Sequence, residues 1–269
     1  MSEIEPQGVL LQVAYDGTHF RGWATQKNER TIEDTLKGAI AAVDARASAP
    51  RGTSRTDAGV HAEAQMVAFD ASLPLPPRGW VLAINQHLPD DVCVRAARLA
   101  PRGYAPRFSA KTKRYRYRLL LDRIRDPLVM HRAWRIGFAL DIEKMRREAA
   151  AIVGTHDFAA FRSAHDERRE TTRTVTRVAI EPDDMHGLHH GHRILSIVVE
   201  GNAFLHNMVR ILVGTLVDIG RGQLPEGTIV RALEGRERRL AGATAPGHGL
   251  TLESIELLLP NEVGEPWPQ

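Results

Sequence analysis

The sequence contains a single cysteine, Cys93, among 269 residues. One thiol excludes an intramolecular disulfide and any thiolate-rich metal site. Long apolar runs are also missing: no stretch approaches the ~20 uninterrupted apolar residues that a membrane-spanning helix needs. Met1 to Gln7 is acidic and polar rather than cationic and then apolar, so no secretory signal is expected. The expectation is a cytoplasmic protein without membrane association. Nucleotide fingerprints are absent too, with neither a P-loop nor a Gly-x-Gly-x-x-Gly turn, and no Gly-x-Ser-x-Gly elbow occurs. Net charge is scarce, since 36 basic and 33 acidic residues leave only +3. The hydrophobic fraction of 43% and charged fraction of 26% are those of an ordinary globular chain, long enough for two modest domains or one large one.

Charge placement says more than its sum. Between Arg102 and Arg135 eleven Lys or Arg face two acids, Asp122 and Asp126. That local excess suits phosphates, although a solvated basic face is the ordinary fate of such a run. Tyrosines and apolar residues interleaved with the cations favour nucleic acid. Lys111 to Leu121 alternates, with Tyr115, Tyr117 and Leu119 on one face and Arg114, Arg116 and Arg118 on the other. The first face can lie on a core while the second meets phosphates.

The remaining elements follow from periodicity and punctuation. Val9 to Tyr15 reads as a buried strand ending at Asp16-Gly17. Thr31 caps a helix carrying Ile32, Leu36, Ile40 and Val43, with Asp34 as a shortened capping box. Ala62 to Phe69 reads as a strand buried on both faces, Pro77 to His87 as a helix and Val92 to Leu99 as a strand. Proline and glycine between Pro101 and Pro106 mark a boundary. Beyond it, Asp141 caps a helix to Gly154, and strands follow at Thr174 to Ile180 and Ile194 to Gly201. Phe204 to Ile219 is the most apolar helix, Pro225 to Leu233 a short one, and Leu250 to Leu258 the last strand. The expected organisation is an N-terminal half at 8–105, a C-terminal half at 106–259 and a mobile tail at 260–269. Both halves run strand, helix, strand, which suggests a duplication that residue identity is too weak to establish.

Four groups of residues are candidates for chemistry. Arg55-Thr56-Asp57-Ala58-Gly59-Val60-His61-Ala62 places one carboxylate between a cation and a glycine. Thr-Asp-Ala-Gly is good turn chemistry by itself, so Asp57 is either a turn residue or a catalytic carboxylate on a tight loop. Arg210 is the one permanent charge in the core of the apolar helix, and His206 is expected on its side of that helix. A buried guanidinium needs an anion or water, and if Arg210 is buried, pairing with Asp57 would favour the ionised carboxylate. His61-Ala62-Glu63 matches half of a zinc deaminase signature, but the Pro-Cys-x-x-Cys half is lacking, so that reading fails. His186, His189, His190 and His192 crowd one turn, where an exposed polar hairpin is favoured over a metal site.

The chain resembles the tRNA pseudouridine synthase A family over nearly its whole length. The Arg55 to Ala62 stretch is similar to the family's catalytic motif. Tyr15-Asp16-Gly17 with Gly22-Trp23 resembles its first strand and loop, and Asn85 to Leu88-Pro89 its Asn-x-x-Leu-Pro. Phe108-Ser109-Ala110 with Lys113 to Tyr117 resembles its substrate-contacting strand, and Asn202 to Arg210 the helix that carries its arginine. Ala24 and Ser54 depart from the usual glutamine and glycine, which bears on which uridines or RNAs are accepted.

The resemblance implies an α/β (α+β) pseudouridine synthase fold. Two similar ferredoxin-like halves with mainly antiparallel sheets would join across a central basic cleft, with Asp57 and Arg210 at its floor. It implies an isomerase that converts uridine to pseudouridine in the anticodon stem-loop of tRNA, working as a homodimer. Asp57 would be the essential carboxylate, Arg210 its partner, Tyr115 the residue packed on the target base, and Arg55 a holder of the everted nucleotide. The reaction breaks N1–C1′, turns the uracil and rejoins it through C5, so no cofactor or metal is expected. One carboxylate suffices, by attack or by removal of a sugar proton. A glycoside hydrolase would need two. The rivals are a catalytically silent RNA-binding module or chaperone, with the Asp57 stretch merely a turn, and a base-excising glycosylase.

Overall fold

A computed structural model describes residues 7–164, 166, 168–185 and 193–266. In chain order its first elements are β1 (Gly8–Tyr15), α1 (Ile32–Val43), β2 (Arg51–Gly52), β3 (His61–Asp70), α2 (Pro77–Asn85) and β4 (Val92–Ala100). Next come β5 (Ala110–Leu121), β6 (Trp134–Ile136), α3 (Ile142–Ala150), β7 (Gly154–Asp157) and β8 (Thr172–Pro182). The rest are β9 (Ile194–Gly201), α4 (Met208–Gly220), α5 (Thr228–Gly235) and β10 (Leu250–Leu257). Two compact units result: Met1–Lys111 with Leu252–Gln269, and Thr112–Thr251. The chain re-enters its first unit at the end, so most of β10 groups with residues that the sequence assigns to the other half.

In the first unit β1 pairs antiparallel with β4 on one side and β3 on the other, and β2 pairs antiparallel with β3. The order β4-β1-β3-β2 from strand–helix–strand–strand–helix–strand is a ferredoxin-like arrangement. Every residue of β1 except Gln12 is buried, because both faces of its sheet are covered. On one face Phe69 of β3 meets Trp80 of α2 edge-on, ring centroids 5.2 Å apart. On the other, Leu10, Ala68, Ala100 and Tyr104 form a cluster on which Met66, Leu257 and Val263 pack. Val263 lies in the segment expected to be a mobile tail. Within the described part of that segment, the Gly264 N–H donates to the Leu99 carbonyl of β4 at 3.0 Å.

The caps read from sequence are present. Thr31 Oγ1 accepts from the Asp34 N–H and donates to the Asp34 carboxylate, and Asp141 accepts from the Lys144 N–H at 2.9 Å. Helix α2 ends at Asn85, short of the expected His87. The Asn85 amide is committed to β4, accepting from the Val94 N–H and donating to the Val94 carbonyl, both at 2.8 Å.

In the second unit β9 is central, antiparallel to β5 and β8, with β7 antiparallel on β8 and β6 parallel to the end of β5. The six-element order of the first unit recurs in β5, α3, β8, β9, α4 and β10, and β9 lies between β5 and β8 as β3 lies between β1 and β2. The duplication shows in the order of elements. The protein is thus a mixed α+β fold whose strand pairings of described register are all antiparallel save β5–β6.

Two expectations are corrected here. Helix α4 starts at Met208, not Phe204, because Asn207 takes a left-handed conformation at φ 62° that no helix continues through. His206 therefore precedes the helix instead of sharing a face with Arg210. The arginines of β5 are also not left for phosphates alone, because each is paired with an acid of a neighbouring strand or the turn after it. Arg114 reaches Glu200 at 3.1 Å, Arg116 reaches Glu181 and Asp183 at 3.5 and 3.4 Å, and Arg118 reaches Asp183 at 2.8 Å. Neighbouring strands supply acids that a local count along β5 does not include. The exposed cations of the run lie in its flanks, at Arg102, Arg107, Lys111, Arg123, Arg125, Arg132 and Arg135.

Candidate active site

Asp57 sits in the turn between β2 and β3, and the residues on either side of it, Thr56 and Gly59, are bonded to the loop after β1. The Trp23 N–H donates to the Thr56 carbonyl at 3.0 Å, and the Gly59 N–H donates to the Phe20 carbonyl at 3.2 Å. The Val60 N–H closes the turn on the Asp57 carbonyl at 3.1 Å. Gly59, third in that turn, has φ 75°, which is what Ala58-Gly59 supplies at no steric cost. Thr56 is buried, with its hydroxyl 2.8 Å from the Tyr15 hydroxyl. Upstream, the fully buried Gln65 amide accepts from the Ser54 N–H and donates to the Ser54 carbonyl, fastening the approach to the turn onto β3. Asp57 itself is half-buried, and Arg55 is exposed beside it.

Two glycines allow this close approach. A Cβ on Gly22, whose φ is +96°, would stand 2.7 Å from the Thr56 carbonyl oxygen. One on Gly17 would stand 2.0 Å from the Val60 carbonyl oxygen. Beneath the turn, His61 is buried, and its Nδ1 lies 3.1 Å from the Gly17 N–H and 3.2 Å from the Asp16 carboxylate. One ring nitrogen can make only one of these bonds at a time, accepting from the Gly17 N–H or, where it carries the ring hydrogen, donating to Asp16. Hydrogen bonding to His61, and to the hydroxyl and N–H of Thr18, holds the Asp16 carboxyl well below the usual carboxylate range against the opposing effect of burial. His61 thus serves the backbone under Asp57. Its signal in the sequence is its place four residues after Asp57, next to a buried strand, with an Asp-Gly turn to receive it.

Arg210 lies in the first turn of α4 and is the only residue of that helix not buried. Its Nε donates to the Ala245 carbonyl at 2.8 Å and its Nη1 to the Asn207 side-chain oxygen at 2.7 Å. Tyr115 on β5 is 7% exposed, its ring edge-on to Phe204 at 5.2 Å between centroids. Nearby, the Tyr117 hydroxyl donates to the Pro246 carbonyl at 2.8 Å, and burial pushes that phenol far above its usual range. His186, His189, His190 and His192 lie outside the described residues. Among the described residues no group of three or more His, Cys, Asp or Glu is placed to hold a metal ion, and no helix is long and apolar enough to cross a membrane.

The turn around Asp57 falls in the first of two segments, 11–109 and 149–256, that match the family model described as tRNA pseudouridine synthase. Arg210 falls in the second, and Tyr115 between them. The chain is 37% identical over 249 residues to tRNA pseudouridine synthase A of Acetivibrio thermocellus, covering 93% of this chain and 99% of that one. It is 43% identical over 246 residues to the protein of that name from Halalkalibacterium halodurans, 89% of each. With that of Myxococcus xanthus it is 38% identical over 245 residues, 91% of this chain and 90% of the other. A carboxylate on a braced turn, inside a match that spans most of the sequence, makes this chain a member of the tRNA pseudouridine synthase family.

Proposed function

We propose that this chain isomerises uridine to pseudouridine in the anticodon stem-loop of tRNA, with Asp57 as the essential carboxylate. The observation that carries the reading is that the turn is bonded on both sides of Asp57, Thr56 to Trp23 and Gly59 to Phe20, with Gly22 packed close against Thr56, while Asp57 itself stays half-buried. A turn that served only as a connector would need no such support.

The reaction is balanced within the nucleotide. The N1–C1′ bond breaks, a C5–C1′ bond forms, C5 loses its proton and N1 gains one, so the mass is unchanged. Asp57 either adds to the nucleoside and leaves again or takes a sugar proton and returns it. The uridine is stacked in its RNA and must first be everted, at a cost of a few kcal/mol. Arg210 is the cation proposed to pair with Asp57, and Tyr115 the aromatic that packs on the everted base. Arg55, exposed next to Asp57, is proposed to hold the nucleotide or fill the gap it leaves. The reading also takes the protein to be cytoplasmic and a homodimer, and the latter is checked by sedimentation at several concentrations.

One experiment separates this reading from its rivals. Incubation with unmodified tRNA should leave the RNA mass unchanged and release no free base, and carbodiimide treatment afterwards should give an alkali-resistant adduct at a former uridine. Free uracil would indicate a glycosylase, and unaltered RNA that is nonetheless bound would indicate a silent binding module.

A further inference from the structure

Asn207 occupies the N-cap of α4, and an asparagine there ordinarily accepts from a backbone N–H of the first turn. Here it makes no such bond. Its side-chain oxygen accepts instead from Nη1 of Arg210 at 2.7 Å, one helical turn on. The helix begins with its first-turn N–H groups uncapped by a side chain, a local rule broken next to the one residue of α4 that is not buried. Such breaches mark functional positions.

The surroundings hold Asn207 in place for this bond. Its φ of 62° is left-handed, a region that Asn enters more readily than most residues. The preceding residue is held at both its backbone groups: the His206 N–H donates to Asp166 at 3.0 Å, and the His206 carbonyl accepts from the Ser163 N–H at 2.9 Å. Asp166 is buried. Burial alone would raise its carboxyl, but bonds from the Arg168 guanidinium and from the His206 and Arg168 N–H groups hold it below the usual range. Arg210 is fixed a second time, as its Nε donates to the Ala245 carbonyl at 2.8 Å and the Ala245 N–H donates to the Arg210 carbonyl at 3.1 Å. A guanidinium is planar, so bonds from two of its nitrogens to separate acceptors fix the orientation of the whole group.

We infer that Asn207 is the positioning residue for Arg210: it gives up the helix cap to set the plane in which the guanidinium meets the reacting centre. The inference rests on the proposed role of Arg210 in pseudouridine formation. A purely conformational role for Asn207, supplying the left-handed residue that starts the helix, is the competing account, and glycine separates the two. Asn207→Gly keeps the backbone accessible and removes the amide.

The experiment is a single-turnover rate and RNA-affinity measurement on Asn207→Gly, Arg210→Lys and the double variant, with wild type and Asp57→Asn alongside. The expected result is a fall of about 10-fold or more in rate for Asn207→Gly, as for a lost hydrogen bond to a charged group, at unchanged RNA affinity. In the Arg210→Lys background the same substitution should have little further effect, because the group it positions is gone. A wild-type rate in Asn207→Gly, or an equal loss in both backgrounds, would overturn the inference. Activity in wild type and none in Asp57→Asn upholds the functional reading whatever the Asn207 series shows.

Discussion

At Asp57 the side chain proposed to do the chemistry is specified by its own motif, while the turn that carries it is held by residues 34 to 42 positions earlier. Trp23, Phe20 and Gly22 hold its peptide neighbours, and Tyr15 and Asp16 reach Thr56 and His61. The string Arg55 to Ala62 is legible because it is contiguous and made of unusual turn chemistry. Its supports are not, because nothing in a linear sequence says which carbonyl Gly22 must approach. Gly22→Ala tests this arrangement. Its φ of +96° and the 2.7 Å approach to the Thr56 oxygen make the alanine strained by ~1–3 kcal/mol. A shift of the turn by ~1 Å would lower the isomerisation rate by about 100-fold. Melting temperature and single-turnover rate measure the two effects, with RNA affinity expected to hold. Tyr15→Phe removes the hydroxyl that meets Thr56 and is expected to cost ~1 kcal/mol of stability.

In strand β5 the element is legible in the sequence while the partners of its arginines are not. Period-two alternation gives the strand and its buried tyrosine face, with Tyr115 and Tyr117 both inside. It cannot give the partners of the arginine face, since Glu200 lies 86 residues from Arg114 and Asp183 lies 65 from Arg118. Asp183 is the centre of that network, bonded to Arg118, Ser196 and the Met185 N–H. Asp183→Ala would leave Arg118 buried without its anion, so a loss of ~3–5 kcal/mol is expected by denaturant titration. Glu200→Gln, on a more exposed pair, should cost no more than ~1 kcal/mol. The same network predicts an acid limit. Burial pushes the Asp183 carboxyl up, but its hydrogen bonds and Arg118 bring it below its unfolded value. A depressed carboxyl contributes stability above the unfolded pKa of ~3.9 and loses it as the pH falls through the folded value. Stability in Asp183→Ala should therefore fall less steeply than in wild type as the pH is lowered below ~4. The start of α4 is hidden for a different reason: the apolar run continues back to Phe204, and only the left-handed Asn207 interrupts it.

For the molecule as a whole, the sequence shows strand, helix, strand in both halves, but neither the two-residue β2 nor the grouping of the chain's last strand mainly with its first unit. Long-range return of this kind leaves no local signature. It does leave a test, because deletion after Leu259 removes Val263 from the Leu10 cluster and Gly264 from Leu99, and should lower the melting temperature. Since the β5 arginines are neutralised by neighbours, RNA affinity is assigned to exposed cations outside the ladder. Arg123→Glu with Arg125→Glu should weaken tRNA binding across sequences and reduce the salt dependence of log K by about 2. The central claim is tested most directly on intact tRNA, by single-turnover formation of the carbodiimide-reactive product with wild type and Asp57→Asn at equal, saturating binding. The account predicts product with wild type and none with Asp57→Asn while the RNA stays bound; a wild-type rate in Asp57→Asn would contradict it.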